Sequence, residues 1–190
     1  CNRATRHALG CALDTIGEVP ATRWAIEDAG IDGMILTSRV RHGGFLIGAH
    51  LFDVTAFNVP PAEATVMNPL QRLLLEQSYS CLHRSGMRRA ELLNSGTGVF
   101  VGTWTGDYHC SLDRQSVYAL SADAGAVMAG RVSFLLGLQG PCSSIDTACS
   151  SSLVACHSAL RAVQLSESET SLVGGVNMMF TVAFGRMMAV

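Results

Sequence analysis

The stretch Ser143-Ser144-Ile145-Asp146-Thr147-Ala148-Cys149-Ser150-Ser151-Ser152-Leu153-Val154-Ala155-Cys156-His157 carries one cysteine from a strand-like run onto the start of a helix-like one. The run from Cys142 to Ile145 has no helical pattern, whereas Asp146 and Thr147 are both helix-capping residue types. Beyond them, Cys149, Leu153, Cys156, Leu160 and Val163 recur at spacings of four, three, four and three, which is one helical stripe. The opposite face carries Val154, Ala155, Ala159 and Ala162, and a helix apolar all round is expected inside a core. The stretch therefore predicts a strand, a tight turn holding Cys149, and a buried helix.

A helix N-terminus presents unpaired N–H groups and the positive end of the macrodipole, which favour a thiolate over a thiol. Cys149 in that place reads as a nucleophile. Its neighbours Ala148, Ser150, Ser151 and Ser152 are small enough to leave room for a substrate, and the serine hydroxyls can satisfy first-turn N–H groups. The competing reading is an inert buried cysteine, a common use of the free residue. His157 stands eight positions beyond Cys149, about 12 Å along a helix, outside the reach of a general base. Cys156, seven positions on, lies about 10 Å away, too far to share a metal or close a disulfide with Cys149.

Other segments supply the frame. Asn68 and Pro69 form a cap and first-turn pair, and Leu70, Leu73, Leu74, Cys81 and Leu82 follow at near-helical intervals up to Gly86. Arg72 and Glu76 are spaced to pair across one turn of that helix. Gly96-Thr97-Gly98 precedes the strand-like run Val99 to Val101, so it reads as a turn; a dinucleotide fingerprint would follow its strand and open a helix. Asp123 to Leu136 reads as a helix that Gly137, Gly140 and Pro141 end. Leu172 to Val176 reads as a buried strand whose Gly174 and Gly175 permit close approach, placed beside the strand ending near Asp146 by the β-α-β rule.

With 13 basic and 15 acidic residues among 190, the net charge of -2 gives no electrostatic case for nucleic-acid binding. The 48% hydrophobic content and 19 glycines suit an α/β domain, and a chain of this size buries roughly 70% of its extended surface. Seven cysteines without CxxC spacing argue against a zinc ribbon, and their odd number without a signal-like start argues against a secreted disulfide framework. A reducing, cytoplasmic setting is the expectation. No run approaches the roughly 18 apolar residues of a membrane span, and there is no charge block or internal repeat.

The string DTACSSSLVACHSA from Asp146 resembles the nucleophile motif of β-ketoacyl synthases, especially ketosynthase domains of polyketide synthases. Further segments are similar to family motifs in family order: Val19 to Trp24, Arg41 to Leu46 with Phe52, Asp53 and Phe57, and Asn68-Pro69-Leu70-Gln71-Arg72-Leu73-Leu74-Leu75-Glu76. Gly98 to Gly102, Ala129-Gly130-Arg131, Leu136 to Pro141 and Gly174 to Asn177 complete the series. The chain departs from the pattern at Asn68, where the family usually has Asp, at Leu70 for Gln and at Ala122 for Gly. It is also shorter after Asn177.

The resemblance implies a thiolase-like α/β fold, of which residues 1–190 are the first half of a duplicated architecture, without its opening strand. It implies a partial β-ketoacyl synthase N-terminal domain whose Cys149 accepts an acyl group from a thioester. A malonyl-type extender would then condense with that acyl group by a decarboxylative Claisen reaction in polyketide or fatty acid biosynthesis. The Cys149 N–H would supply one oxyanion donor, and two catalytic histidines would lie outside this chain. His7, His42, His50, His83 and His109 match none of their motifs and read as surface or structural residues. The implied partners are an acyl carrier protein presenting its phosphopantetheine arm and a second copy in a homodimer, with no cofactor bound to the chain itself. Two alternatives are a catalytically incomplete ketosynthase-like scaffold that binds a carrier protein or dimer partner, and a thiolase- or chalcone-synthase-like enzyme using coenzyme A. With the N-terminus read as incomplete, organelle targeting stays open.

Overall fold

The computed structural model describes residues 10–21, 23, 40–46, 48–104, 106–108 and 115–182. His7, Thr22, Trp24 and His109 lie outside the described residues. The chain divides into two compact units, Cys1–Gly48 with Met179–Val190, and Ala49–Met178.

In the first unit, β1 (Gly17–Glu18) pairs antiparallel with β2 (His42–Gly43), and Val19 N donates to Arg41 O at 2.9 Å beside them. The Arg23 guanidinium stands 6.0 Å from the Phe45 ring centroid, a cation–π contact that joins two of the motif segments.

The second unit runs α1 (Val54–Phe57), α2 (Pro61–Val66), α3 (Pro69–Arg84), α4 (Arg89–Leu92), β3 (Gly98–Thr103), α5 (Ala119–Ala122), α6 (Val127–Leu136), β4 (Cys142–Ile145), α7 (Ser151–Gln164) and β5 (Ser171–Val176). The strands form a parallel sheet in the order β4-β3-β5, with Val99 opposite both Cys142 and Leu172, and Gly102 opposite both Ile145 and Gly175. All six residues of β3 are buried, as a central parallel strand requires. The expected neighbour relation of the last strand is corrected: β5 pairs with β3, not β4, because the better-buried β3 takes the centre and both later strands add to its sides. The same placement leaves β5 half exposed. Leu172 is buried while Val173 is exposed, so β5 is not the fully buried strand that its apolar run suggests.

Strand alternation sorts the layers. Phe100 points to α7 and clusters with Ala155, Ala159, Ala162 and the partly buried Ile145. Val101 points the other way, toward α3, and a Cβ at the neighbouring Gly174 would lie 2.8 Å from Leu74 Cδ1 and 3.9 Å from Val101 Cγ2. The core on that side is built from Leu70, Leu74, Leu75 and Leu82 of α3 and Met128, Ala129, Val132 and Leu136 of α6.

Helix α3 follows its sequence signals. The Asn68 side chain accepts from Leu70 N at 2.8 Å, Pro69 opens the first turn, and Gly86 lies beyond the end at φ +93°. Leu70, which stands in place of the family's Gln, is fully buried. Arg72 donates through Nη1 to His50 O at 3.4 Å, while Glu76 acts on it only at longer range, so the expected one-turn pair is not its main contact. Burial holds the Arg72 guanidinium below its ordinary pKa, against the opposing effects of Tyr108 and Glu76.

The helix expected from Asp123 starts four residues later, at Val127. Asp123 to Ala126 form a turn between α5 and α6 because Asp123 is engaged by Asn68. Gly137 ends α6 in the left-handed conformation at φ +72°, as its position predicts.

Candidate active site

Cys149 lies where β4 gives way to α7, at the carboxyl ends of the parallel strands, the end where open α/β sheets bind their ligands. The turn is tighter than a plain helix start. Ala148, Cys149 and Ser150 form a 3-10 turn, and the α-helix begins at Ser151, two residues past the cysteine. Asp146 and Thr147 therefore cap this turn and not α7: Asp146 Oδ1 accepts from Ala148 N at 3.0 Å, and Ser150 Oγ donates to Thr147 O at 2.8 Å. Ser151 Oγ ties both ends together, accepting from Thr147 N at 2.8 Å and donating to Ala148 O at 2.7 Å.

Ala148 has φ +54°, a conformation disfavoured for a side chain with a Cβ. Such a residue persists only where its surroundings over-determine it, and here the four hydrogen bonds from Asp146, Ser150 and Ser151 do so. The bend turns the chain out of the sheet, and Cys149 is solvent-exposed.

The base of the turn rests on glycine. A Cβ on Gly102 of β3 would lie 2.6 Å from Ser151 O, and one on Gly175 of β5 would lie 2.7 Å from Ser152 Cβ. Side chains at either position would lift the head of α7 off the sheet. The close approach expected at Gly174 and Gly175 is thus present, against Leu74 and Ser152 respectively.

Helix α7 corrects one expectation. Its buried residues are Ser151, Ala155, Ala159 and Ala162, while Cys149, Leu153, Cys156, Leu160 and Val163 are exposed. Small residues meet the sheet because the glycine-bearing strands admit close packing, so the bulkier stripe is turned outward. His157 is exposed on the same helix, and His42, His50 and His83 are exposed elsewhere.

The β-ketoacyl synthase N-terminal domain model matches residues 6–188 of this chain, spanning the turn, the sheet and α3. The chain belongs to the β-ketoacyl synthase family. Among curated relatives of this ketosynthase chain, polyketide synthase GfsA of Streptomyces halstedii is 42% identical over 176 residues, covering 87% of this chain and 2% of its own length. Reducing polyketide synthase ppsB of Aspergillus oryzae is 45% identical over 134 residues, covering 68% of this chain and 6% of its own. The ketosynthase from module 6 of the bacillaene synthase of Bacillus subtilis 168 superposes with a TM-score of 0.84 at 30% identity, covering 98% of this chain and 31% of that one. The oxazolomycin ketosynthase domain OzmH KS7 of Streptomyces albus JA3453 gives 0.82 at 31% identity, covering 97% and 34%. The chain thus spans about a third of these solved ketosynthases and a small fraction of the curated relatives.

Two polar residues near the carboxyl ends of β3 and β4 are not marked by the residue patterns above. Thr103, the last residue of β3, is buried with its Oγ1 unpaired among the described residues. Ser144 reaches back from β4 to the start of α6, accepting from Ala129 N at 3.1 Å and donating to Ala126 O at 3.3 Å. Strand alternation could have flagged Ser144, a polar residue on the inward side of a strand. Nothing in the sequence marks Ala148 as left-handed. Among the described residues, no group of three His, Cys, Asp or Glu is placed to hold a metal, and no helix is long and apolar enough to cross a membrane.

Proposed function

We propose that Cys149 is the acyl-accepting nucleophile of a β-ketoacyl synthase that extends a carbon chain by decarboxylative Claisen condensation. The observation that carries this reading is the exposed sulfur on an over-determined positive-φ turn, at the carboxyl end of a parallel sheet and the head of α7.

The first half-reaction follows from that placement. The thiolate attacks the carbonyl of an acyl thioester, a sulfur–carbon bond forms, and the tetrahedral oxyanion collapses to release the phosphopantetheine thiol of an acyl carrier protein. Preorganised N–H donors lower the barrier, and the Cys149 backbone N–H is the group assigned that role here. In the second half-reaction a malonyl-type thioester loses carbon dioxide, and its carbanion attacks the acyl carbonyl. Cys149 then leaves as thiolate. The acid–base groups of this second step are assigned to residues outside the chain.

The test is incubation of the full-length polypeptide containing this chain with a radiolabelled acyl thioester. Label on Cys149, lost in Cys149→Ser, supports the reading; label elsewhere, or unchanged in the variant, overturns it. A preference for carrier-bound over coenzyme A thioesters separates a ketosynthase from a thiolase-like enzyme.

A second reading, a scaffold that binds a carrier protein or a second copy without turnover, is favoured by Leu153 and Leu160, exposed on α7 in a chain that spans about a third of the solved ketosynthases, and by β4 standing at the sheet's edge among the described residues. It predicts binding without label. Light scattering tests the dimer separately, and a monomer at all concentrations would exclude it.

A further inference from the structure

Asn68 is 1% exposed and uses both ends of its amide. Oδ1 accepts from Leu70 N at 2.8 Å, which caps α3, and Nδ2 donates to Asp123 Oδ1 at 2.6 Å. Two further bonds lie alongside: Asn68 N donates to Ala122 O at 2.9 Å, and Gln71 Nε2 donates to Ser121 O at 3.0 Å. The first turn of α3 therefore grips residues 121–123. The far end of the same segment is gripped by Ser144 of β4 through Ala126 O and Ala129 N. Between the two grips, Gly125 lies against the end of β3, where an added Cβ would stand 3.7 Å from Thr103 Cγ2. One strand residue separates Ser144 from the Asp146 cap of the Cys149 turn.

We propose that Asp123 is a positioning residue for Cys149, its carboxylate clamped by the Asn68 amide so that segment 121–126 holds the ends of β3 and β4 in register beneath the nucleophile turn. This rests on the reading of Cys149 as the acyl acceptor. It also explains why Asn68 departs from the family's usual Asp. An amide offers one acceptor for the helix cap and one donor for a facing carboxylate. Asn68→Asp keeps the cap but turns a second carboxylate on the partly buried Asp123, replacing a hydrogen bond with like-charge repulsion at contact distance. Asn68 and Asp123 are thus a matched pair with the charge on the 123 side. The other charged or titratable groups around them are Tyr108, whose hydroxyl donates to Val66 O at 3.0 Å, Arg72, and Glu76 beside Arg72.

The test compares the full-length polypeptide with Asn68→Asp, Asp123→Asn and the exchange Asn68→Asp with Asp123→Asn. The readout is labelling of Cys149 by a radiolabelled acyl N-acetylcysteamine thioester, with folded fraction checked by circular dichroism. Displacing a reacting group by a fraction of an ångström predicts a first-order labelling constant about tenfold lower in Asn68→Asp. The half-saturating thioester concentration stays unchanged, and the exchange returns the constant to wild type. Wild-type labelling in Asn68→Asp, or an exchange variant as slow as the single one, overturns the proposal. A wild-type protein that takes no label overturns the acyl-acceptor reading itself, a different failure, and this proposal falls with it. Should Asn68→Asp not fold, Asp123→Ala is read in its place, because it removes the carboxylate without adding repulsion; labelling at the wild-type rate then overturns the clamp.

Discussion

Replacing Gly102 with alanine tests the steric basis of the site. The added methyl would lie 2.5 Å from Ser151 C and closer still to Ser152 N, and ordinary van der Waals contact begins at 3.4 Å, so the head of α7 must retreat by about 0.9 Å or more. The obstacle is backbone on both sides, and no rotamer change relieves it. Overpacking of a close-packed interior costs about 1–3 kcal/mol, and at this chain length each kcal/mol lowers Tm by about 2–4 °C. Because Ser151 ties Thr147 to Ala148, the displacement is transmitted straight into the cysteine turn. A misplacement near 1 Å reduces an optimally aligned reaction by up to about 100-fold. Gly102→Ala should therefore melt lower and label Cys149 at least about tenfold more slowly at temperatures where it is fully folded. The matching control is Gly130→Ala, where an added Cβ meets nothing within 4 Å. A Gly102→Ala protein that melts and labels like wild type would refute the claim that close contact between β3 and α7 sets the turn.

The control carries its own prediction: Gly130 lies inside α6, so alanine there should raise stability by about 1 kcal/mol in urea denaturation. The Arg131–Glu63 ion pair leaves its side chains only 10% and 19% exposed, and Arg131 Nε has no hydrogen-bond partner among the described residues. Glu63→Gln should therefore cost about 3–5 kcal/mol by stranding a nearly buried charge, whereas Glu63→Met with Arg131→Met should recover most of the loss in the same denaturation assay. Partial burial pushes the Cys142 thiol above its ordinary pKa. A raised pKa leaves less thiolate at neutral pH, so iodoacetamide modification of Cys142, followed by peptide mass spectrometry, should still be rising above the usual thiol range. A plateau at pH 8 would contradict it.

The individual strands, α3 with its cap, and the turn holding Cys149 were legible from local chemistry, whereas the α/β class and the parallel pairing rested on the crossover rule and the family resemblance. Asn-Pro can open α3 wherever that helix packs, and Gly137 can end α6 whatever surrounds it. Failures occurred where a distant residue decided the outcome. Asp123 to Ala126 have helical spacing, but the Asn68 amide at the head of another helix holds Asp123 outside α6. The strand order was missed because the β-α-β rule fixes the hand of a crossover and not the number of strands it passes over. At the site itself, residue types located Cys149, whereas the left-handed Ala148 depends on contacts from Ser150 and Ser151.

The small residues around the sulfur show how one sequence signal can have two physical causes. Read as a string, Ala148, Ser150, Ser151 and Ser152 all suggest space kept clear for a substrate. In the fold, Ser151 is buried with its backbone pressed on Gly102, and the Cβ of Ser152 meets Gly175. These two are constrained by the sheet beneath α7 and carry no information about what approaches from above. Ala148 and Ser150 flank Cys149 in the exposed turn. Enlarging either would crowd the sulfur without disturbing the contact between α7 and β3. On the acyl-acceptor reading, Ser150→Thr, which adds a methyl and keeps a hydroxyl to bond Thr147, should alter which acyl groups reach Cys149, whereas Ser151→Ala, which removes the tie between Thr147 and Ala148, should alter whether the turn forms at all.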